Sequence, residues 1–153
     1  MPILLVRHGH AGSRSSWDGP DRDRPLSSKG RAQARSIATN LEKYCPARLL
    51  SSPYVRCTET LAPLAAVLGL EVEAVESLAE GRAYECLELI RRLAGTDVAM
   101  CSHGDVIPEV LMALASEDGL DLGPHPREAK GSVWVLDSAG NRFISATYID
   151  APV

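Results

Sequence analysis

At 153 residues, 45% of them hydrophobic and 24% charged, the chain has the size and apolar content of one folded domain and is too apolar to be disordered. Sixteen Lys and Arg against 20 Asp and Glu give a net charge of -4 with no basic stripe, which argues against a nucleic-acid polymer as partner. No apolar run nears the ~20 residues of a membrane-spanning helix, residues 3–6 are too short for a signal peptide, and Cys45, Cys57, Cys86 and Cys101 show no Cys-x-x-Cys spacing. The expectation is one domain over residues 1–153, cytoplasmic and without membrane contact, with reduced and mostly buried thiols.

Residues 3–7 are a continuous β-prone run closed by Gly9, which suits a strand covered on both faces and puts residues 7–9 at its carboxyl end. Residues 9–25, rich in Gly, Ser, Asp and Arg, lack periodicity and read as a long loop of the kind that carries binding groups. Ser27 suits the N-cap of a helix whose apolar face is Ala34, Ile37, Ala38 and Leu41, limited by Pro46. A strand at 47–51 precedes a helical stretch over 54–68 ended by Gly69. A kink or restart is expected at Pro63, where a missing N–H and a ring clash cost ~3 kcal/mol. Leu70, Val72 and Ala74 alternate with Glu71 and Glu73 as a half-exposed strand.

Next, Ala83, Leu87, Ile90 and Ala94 form one face of a helix closed by Gly95. A buried-type strand at 98–102 leads into His103-Gly104-Asp105 and a helix over about 106–116. A second long loop covers 119–131, and residues 133–136 and 143–148 read as a terminal hairpin. The predicted fold is α/β, a helix-covered, mainly parallel sheet with a C-terminal β-hairpin.

Such sheets bind ligands beyond the carboxyl ends of their strands. Two of those ends carry Arg7-His8-Gly9 and Ser102-His103-Gly104, and a third leads to Ser51-Ser52-Pro53-Tyr54-Val55-Arg56. Any one of these residues alone reads as a core histidine or a surface arginine; together they place two histidines and two arginines at one edge. Guanidinium donors match phosphoryl oxygens and stay charged. A neutral imidazole beside them can attack phosphorus, and His8, followed by the small Gly9, is the candidate nucleophile.

Leu5-Val6-Arg7-His8-Gly9-His10-Ala11 resembles the signature of the histidine phosphatase superfamily, the phosphoglycerate mutase-like proteins. Further blocks follow in the family's order, Pro25-Leu26-Ser27-Ser28-Lys29-Gly30-Arg31-Ala32-Gln33-Ala34, then Ser51-Ser52-Pro53 with Arg56 and Thr60, then Ser102-His103-Gly104. The resemblance covers residues 3 to about 115. It implies that His8 is phosphorylated, that Arg7, Arg56, His103 and Gly104 hold the phosphoryl oxygens, and that no cofactor or metal is used. Its proton donor is a Glu after a Leu-x step, matched by Leu78-Ala79-Glu80, with Asp105 or His10 as alternatives, and its signature loop touches phosphate at positions matching Ser13 and Arg14. Glu80 also reads as an ordinary carboxylate at a helix start, and Thr60 as an internal helix hydroxyl.

The size and the opening block look most like SixA-type phosphohistidine phosphatases, whereas Gly104-Asp105-Val106-Ile107-Pro108 and Lys130-Gly131-Ser132-Val133-Trp134-Val135 resemble the phosphatase half of bacterial Nudix fusions acting on nucleotides. The implied substrate is a phosphorylated protein or a small phosphorylated metabolite. Three rival readings are a metal site on His8, His10, His103 and Asp105, a non-catalytic module binding phosphorylated partners, and a mutase, which needs an enclosing lid. Arg7 and Arg56 would repel a cation, and the short chain hardly supplies a lid.

Overall fold

The computed structural model describes residues 1–152 of the chain. Strands β1 (Ile3–Arg7), β2 (Arg48–Ser51), β3 (Val72–Ala74), β4 (Val98–Ser102), β5 (Val133–Ala139) and β6 (Arg142–Ile149) form one sheet in the order β3-β2-β4-β1-β5-β6. The first four are mutually parallel, and β5 and β6 add an antiparallel hairpin to the β1 edge. This matches the predicted architecture. The central strands β1 and β4 are buried almost throughout because helices cover both faces.

Alternation along β1 divides the core. Leu4 and Val6 face α1 (Ser28–Leu41) and α2 (Val55–Leu68), while Ile3 and Leu5 face α3 (Ala83–Leu93), α4 (Ile107–Asp118) and Phe143 of the hairpin. Ser27 caps α1 as expected, its hydroxyl accepting from Gly30 N–H at 3.1 Å, and Ala34, Ile37, Ala38 and Leu41 are all buried. No helix among the described residues is long and apolar enough to cross a membrane.

Of the kink or restart expected at Pro63, the restart is corrected: helix α2 runs as one helix from Val55 to Leu68. Leu61 and Leu64, on either side of the proline, are both fully buried. Each such side chain contributes roughly 1.5–3 kcal/mol, which together offset the ~3 kcal/mol cost of an internal proline. The strand predicted from alternation over residues 70–74 is shorter, only Val72–Ala74 at the sheet edge. Of the four thiols, Cys57, Cys86 and Cys101 are buried and Cys45 is exposed.

The start of α1 is pressed against the loop that leaves β1. Ser27 N–H and Ser27 Oγ–H both donate to the His10 carbonyl, at 2.9 and 3.0 Å, and a Cβ at Gly30 would collide with that same carbonyl oxygen. Ala normally improves a helix interior over Gly by ~1 kcal/mol. Here the expected sign is reversed. Gly30→Ala is expected to cost about 1–3 kcal/mol, lowering Tm by several degrees in thermal unfolding, and a Tm at or above the wild-type value would contradict this packing.

Candidate active site

In the parallel β1–β4 pair Arg7 is opposite Ser102, so the next residues, His8 and His103, leave the sheet side by side. Their rings meet edge to face with centroids 5.4 Å apart. Beside β4, Ser51 is opposite Cys101, and the chain turns after Ser52 into α2, whose second residue is Arg56. Neighbouring strand ends thus converge on a cavity of about 500 Å³ whose lining includes Arg7, His8, Arg56, Glu80, His103 and Gly104.

His8 Nδ1 lies 2.8 Å from the Gly9 carbonyl. A carbonyl only accepts, so Nδ1 carries the hydrogen and Nε2 keeps its lone pair. Burial, helped by the charges of Arg56, Arg7 and Lys130, lowers the His8 pKa to about 4 against the opposing pull of the Gly9 bond. The imidazole is therefore neutral at neutral pH. Gly9 N–H donates to Thr60 Oγ1 at 3.0 Å, and Thr60 donates to the Arg56 carbonyl at 2.7 Å, so the helix hydroxyl expected of Thr60 also ties the loop of His8 to α2. Gly9 is small because α1 lies on it: a Cβ there would sit 3.1 Å from the Gly30 carbonyl oxygen.

His103 is lowered further, to about 3, by burial and then by His8, Arg56 and Arg7, with Asp21 opposing. Its Nε2 is 2.8 Å from Ser52 Oγ, which also accepts from Tyr54 N–H at 3.3 Å. We assign the proton to Nδ1, because the Ser52 hydroxyl can then donate to Nε2 while Nδ1–H faces the Glu80 carboxylate at 3.6 Å. Nδ1 of His103, Nε of Arg7 and Nε of Arg56 are buried without a hydrogen-bond partner. Three orphaned N–H donors in residues lining one cavity match the several acceptor oxygens of a phosphoryl group.

The arginines are held from behind. Arg7 Nη1 donates to the Glu128 carbonyl at 2.7 Å, and its guanidinium lies so close on Gly104 that any Cβ there would collide with it. Arg56, only 1% exposed, donates from Nη1 to the Asp21 carbonyl at 2.9 Å and from Nη2 to Asp21 Oδ2 at 3.1 Å and Glu80 Oε1 at 2.6 Å. Burial works against ionisation of Asp21, but the bond from Arg24 and the charge and bond of Arg56 outweigh it and hold this carboxyl below its usual range.

The structure thus brings Arg7, His8, Arg56, Glu80, His103, Gly104 and Arg14 to one cavity. Arg14 reaches Glu80 and Asp21 at 3.3 Å from an exposed loop. Ser13 is not brought there: its hydroxyl accepts from Ser15 N–H at 3.2 Å and caps a short turn outside the cavity. His10, weighed as an acid or a metal ligand, bonds Ser27 Oγ through Nδ1 at 2.6 Å and lines a different cavity. Among the described residues no three His, Cys, Asp or Glu come together as a metal site. Asp105 lines the cavity, but its Oδ2 accepts from Gly81 N–H at 2.8 Å and so steadies the loop that carries Glu80.

Sequence reasoning missed Asp21 and Arg24, and gave Ser52 and Lys130, quoted within longer motifs, no role of their own. Asp21 and Arg24 lie in Asp-Arg-Asp-Arg, which reads as a solvated charge run, yet Arg24 is 8% exposed and donates to the Ala11 carbonyl at 2.9 Å. A long-range contact of this kind leaves no periodic signal.

The family model of the histidine phosphatase superfamily (branch 1) matches residues 3–88, more than half of the chain. The chain belongs to the histidine phosphatase superfamily. An 8-oxo-(d)GTP phosphatase of Mycolicibacterium smegmatis is 33% identical over 157 residues, covering 98% of this chain and 48% of that protein. The chain spans less than half the length of the curated relatives it matches. Among solved structures, the protein histidine phosphatase SixA in complex with tungstate superposes with a TM-score of 0.74 at 21% identity, over 99% of this chain and 96% of that one. A mycobacterial glucosyl-3-phosphoglycerate phosphatase superposes with a TM-score of 0.72 at 20% identity, over 96% of both chains. At such identities the two superpositions establish a shared fold. In this member of the superfamily the matched segment holds Arg7, His8, Arg56 and Glu80, while His103 lies beyond it.

Proposed function

We propose that this chain hydrolyses a phosphomonoester or a phosphohistidine through a covalent phosphohistidine on His8. The observation that carries the reading is the Nδ1–Gly9 bond, which leaves a neutral Nε2 as nucleophile beside Arg7, Arg56 and His103. In the first step Nε2 bonds phosphorus as the bond to the leaving oxygen or nitrogen breaks, and charge on the phosphoryl oxygens is met by N–H donors already in place. Water then attacks phosphorus, phosphate departs, and Nε2 regains its lone pair. Trapping the labelled phosphoenzyme tests this reading.

Glu80 is the proton donor to the leaving group in this scheme, as a carboxyl lining the cavity with His8: it enters the first step protonated, gives that proton to the leaving atom, and takes a proton back from the attacking water in the second. Loss of an acid hurts most where the leaving group is a poor one. Glu80→Gln is expected to lower turnover of an alkyl phosphate ~10² to 10⁴-fold, the usual worth of a positioned acid, while changing p-nitrophenyl phosphate and a phosphohistidine peptide far less. An equal effect on all three would leave Glu80 only as a partner of Arg56.

The second reading, a phosphatase of nucleotides or small metabolites, is favoured by the likeness to the 8-oxo-(d)GTP phosphatase. A non-catalytic module would bind phosphate through the same donors without turnover. A panel of phosphohistidine peptides, nucleotides and sugar phosphates separates the three.

A further inference from the structure

A second cavity, of about 520 Å³, shares one lining residue, Lys130, with the cavity that holds His8. The backbone fixes Lys130 in place. The next residue, Gly131, donates its N–H to the carbonyls of Arg7 and His8, at 3.1 and 3.0 Å, and the Lys130 carbonyl accepts from Gln33 Nε2 at 3.4 Å. Gln33 Oε1 in turn accepts from His10 N–H at 2.8 Å. A phosphoryl group at His8 would therefore share its cavity with Lys130, the side chain common to both cavities.

The charge in that space is unbalanced. Its one carboxylate among the described residues, Asp150, pairs with Arg127 at 3.2 Å and also accepts from the Tyr148 hydroxyl at 3.1 Å and Ala151 N–H at 2.8 Å. Lys29 and Lys130 have no carboxylate partner among the described residues. Burial and the charges of Arg7, Arg24, Arg56 and Lys29 hold the Lys130 ammonium below its ordinary pKa, so a neighbouring anion would stabilise its charged form.

We propose that Lys130 and Lys29 form a subsite for an oxyanion, carboxylate or phosphate, on the leaving group, so that the favoured substrates are small phosphorylated metabolites whose leaving group is itself anionic. The proposal rests on the phosphatase reading above and narrows its substrate class. The chemistry is unchanged: Nε2 of His8 bonds phosphorus, the P–O bond breaks with its electron pair going to the leaving oxygen, and water releases phosphate from the imidazole. The lysines hold the departing fragment's second anion and act as specificity residues.

The test uses matched substrates, glycerol phosphate with a neutral leaving group, phosphoglycerate with a carboxylate, and inorganic diphosphate with a phosphate. Wild type is expected to show kcat/KM at least ~10-fold higher for one or both anionic members, narrowing as salt is raised. Lys29→Met and Lys130→Met are each expected to reduce that preference ~3 to 10-fold, mainly through KM. A gain with phosphoglycerate alone assigns a carboxylate, and one with diphosphate alone assigns a phosphate. No wild-type preference, or an equal loss on all three substrates in both variants, would overturn the subsite. If no substrate turns over, the phosphatase reading fails by itself, and calorimetric binding still decides the subsite. Phosphoglycerate must then bind more tightly than glycerol phosphate, and Lys29→Met must remove that difference.

Discussion

Replacing His8 by Ala is expected to reduce turnover by on the order of 10⁴ to 10⁶-fold, the loss seen when an enzyme's nucleophile is removed. Wild-type enzyme quenched during turnover of a labelled substrate is expected to carry phosphate that survives alkali and is lost in acid, the behaviour of a P–N bond and the reverse of a phosphoserine. The His8→Ala protein is expected to carry none. Label retained on that protein would falsify the nucleophile assignment. The fold gives the experiment a clean reading, because the bond the variant loses from the His8 side chain is the local donation of Nδ1–H to the Gly9 carbonyl. The loop is held by Gly9 N–H on Thr60, His10 N–H on Gln33 and the His10 carbonyl on Ser27, all of which the variant keeps.

The same residue sets a pH limit. With His8 at about 4 in the free enzyme, kcat/KM is expected to hold from neutral pH down toward 5 and to fall as pH passes through about 4, where the imidazole takes a proton and loses its lone pair. Stability moves in the same direction. An unfolded histidine binds its proton near 6.5, whereas His8 and His103 bind theirs at about 4 and about 3. Between these values the unfolded chain holds more protons, so unfolding becomes easier as pH falls through that window. An activity profile with an acid limb near 6.5 would mean that His8 is far more solvated than its burial shows.

Most of the sheet and the convergence of Arg7, His8, Arg56 and His103 were legible in the sequence, because each rests on a local signal. A buried strand is a short apolar run, its end is marked by Gly9 or Gly104, and parallel connectivity puts such ends at one edge. A restart at Pro63 was expected because a local propensity was weighed without the burial of Leu61 and Leu64 beside it. Asp21, Arg24 and Lys130 were illegible for a different reason. Their roles depend on partners more than ten residues away, as with Asp21 and Arg56 or the Lys130 segment and β1, and nothing in a loop's composition encodes that distance. Ser13 and Arg14 show the limit of motif matching: adjacent loop residues of similar polarity part, Arg14 to the cavity and Ser13 to a turn.

Arg56→Ala is expected to give the second large loss, ~10² to 10³-fold in turnover, because it removes a donor fixed in place before charge develops on the phosphoryl oxygens. Arg56→Lys is expected to recover little. An ammonium has no forked array to reach Asp21 and Glu80 while leaving a further N–H unpaired, which the guanidinium does with Nη1, Nη2 and Nε. The cost to stability is expected to be smaller than the 3–5 kcal/mol typical of breaking a buried ion pair. Asp21 keeps Arg24 at 3.0 Å and Arg14 at 3.3 Å, Glu80 keeps Arg14, and both carboxylates retain more than a quarter of their exposure. Turnover and chemical denaturation measured together therefore separate the two roles. A collapse of both would make Arg56 a structural strut between the 9–25 loop and α2. Near-wild-type turnover with normal stability would remove it from the phosphoryl site altogether. A loss of ~10²-fold or more in kcat, with stability falling by no more than about 2 kcal/mol, is the outcome that follows from a buried guanidinium held by two partly solvated carboxylates.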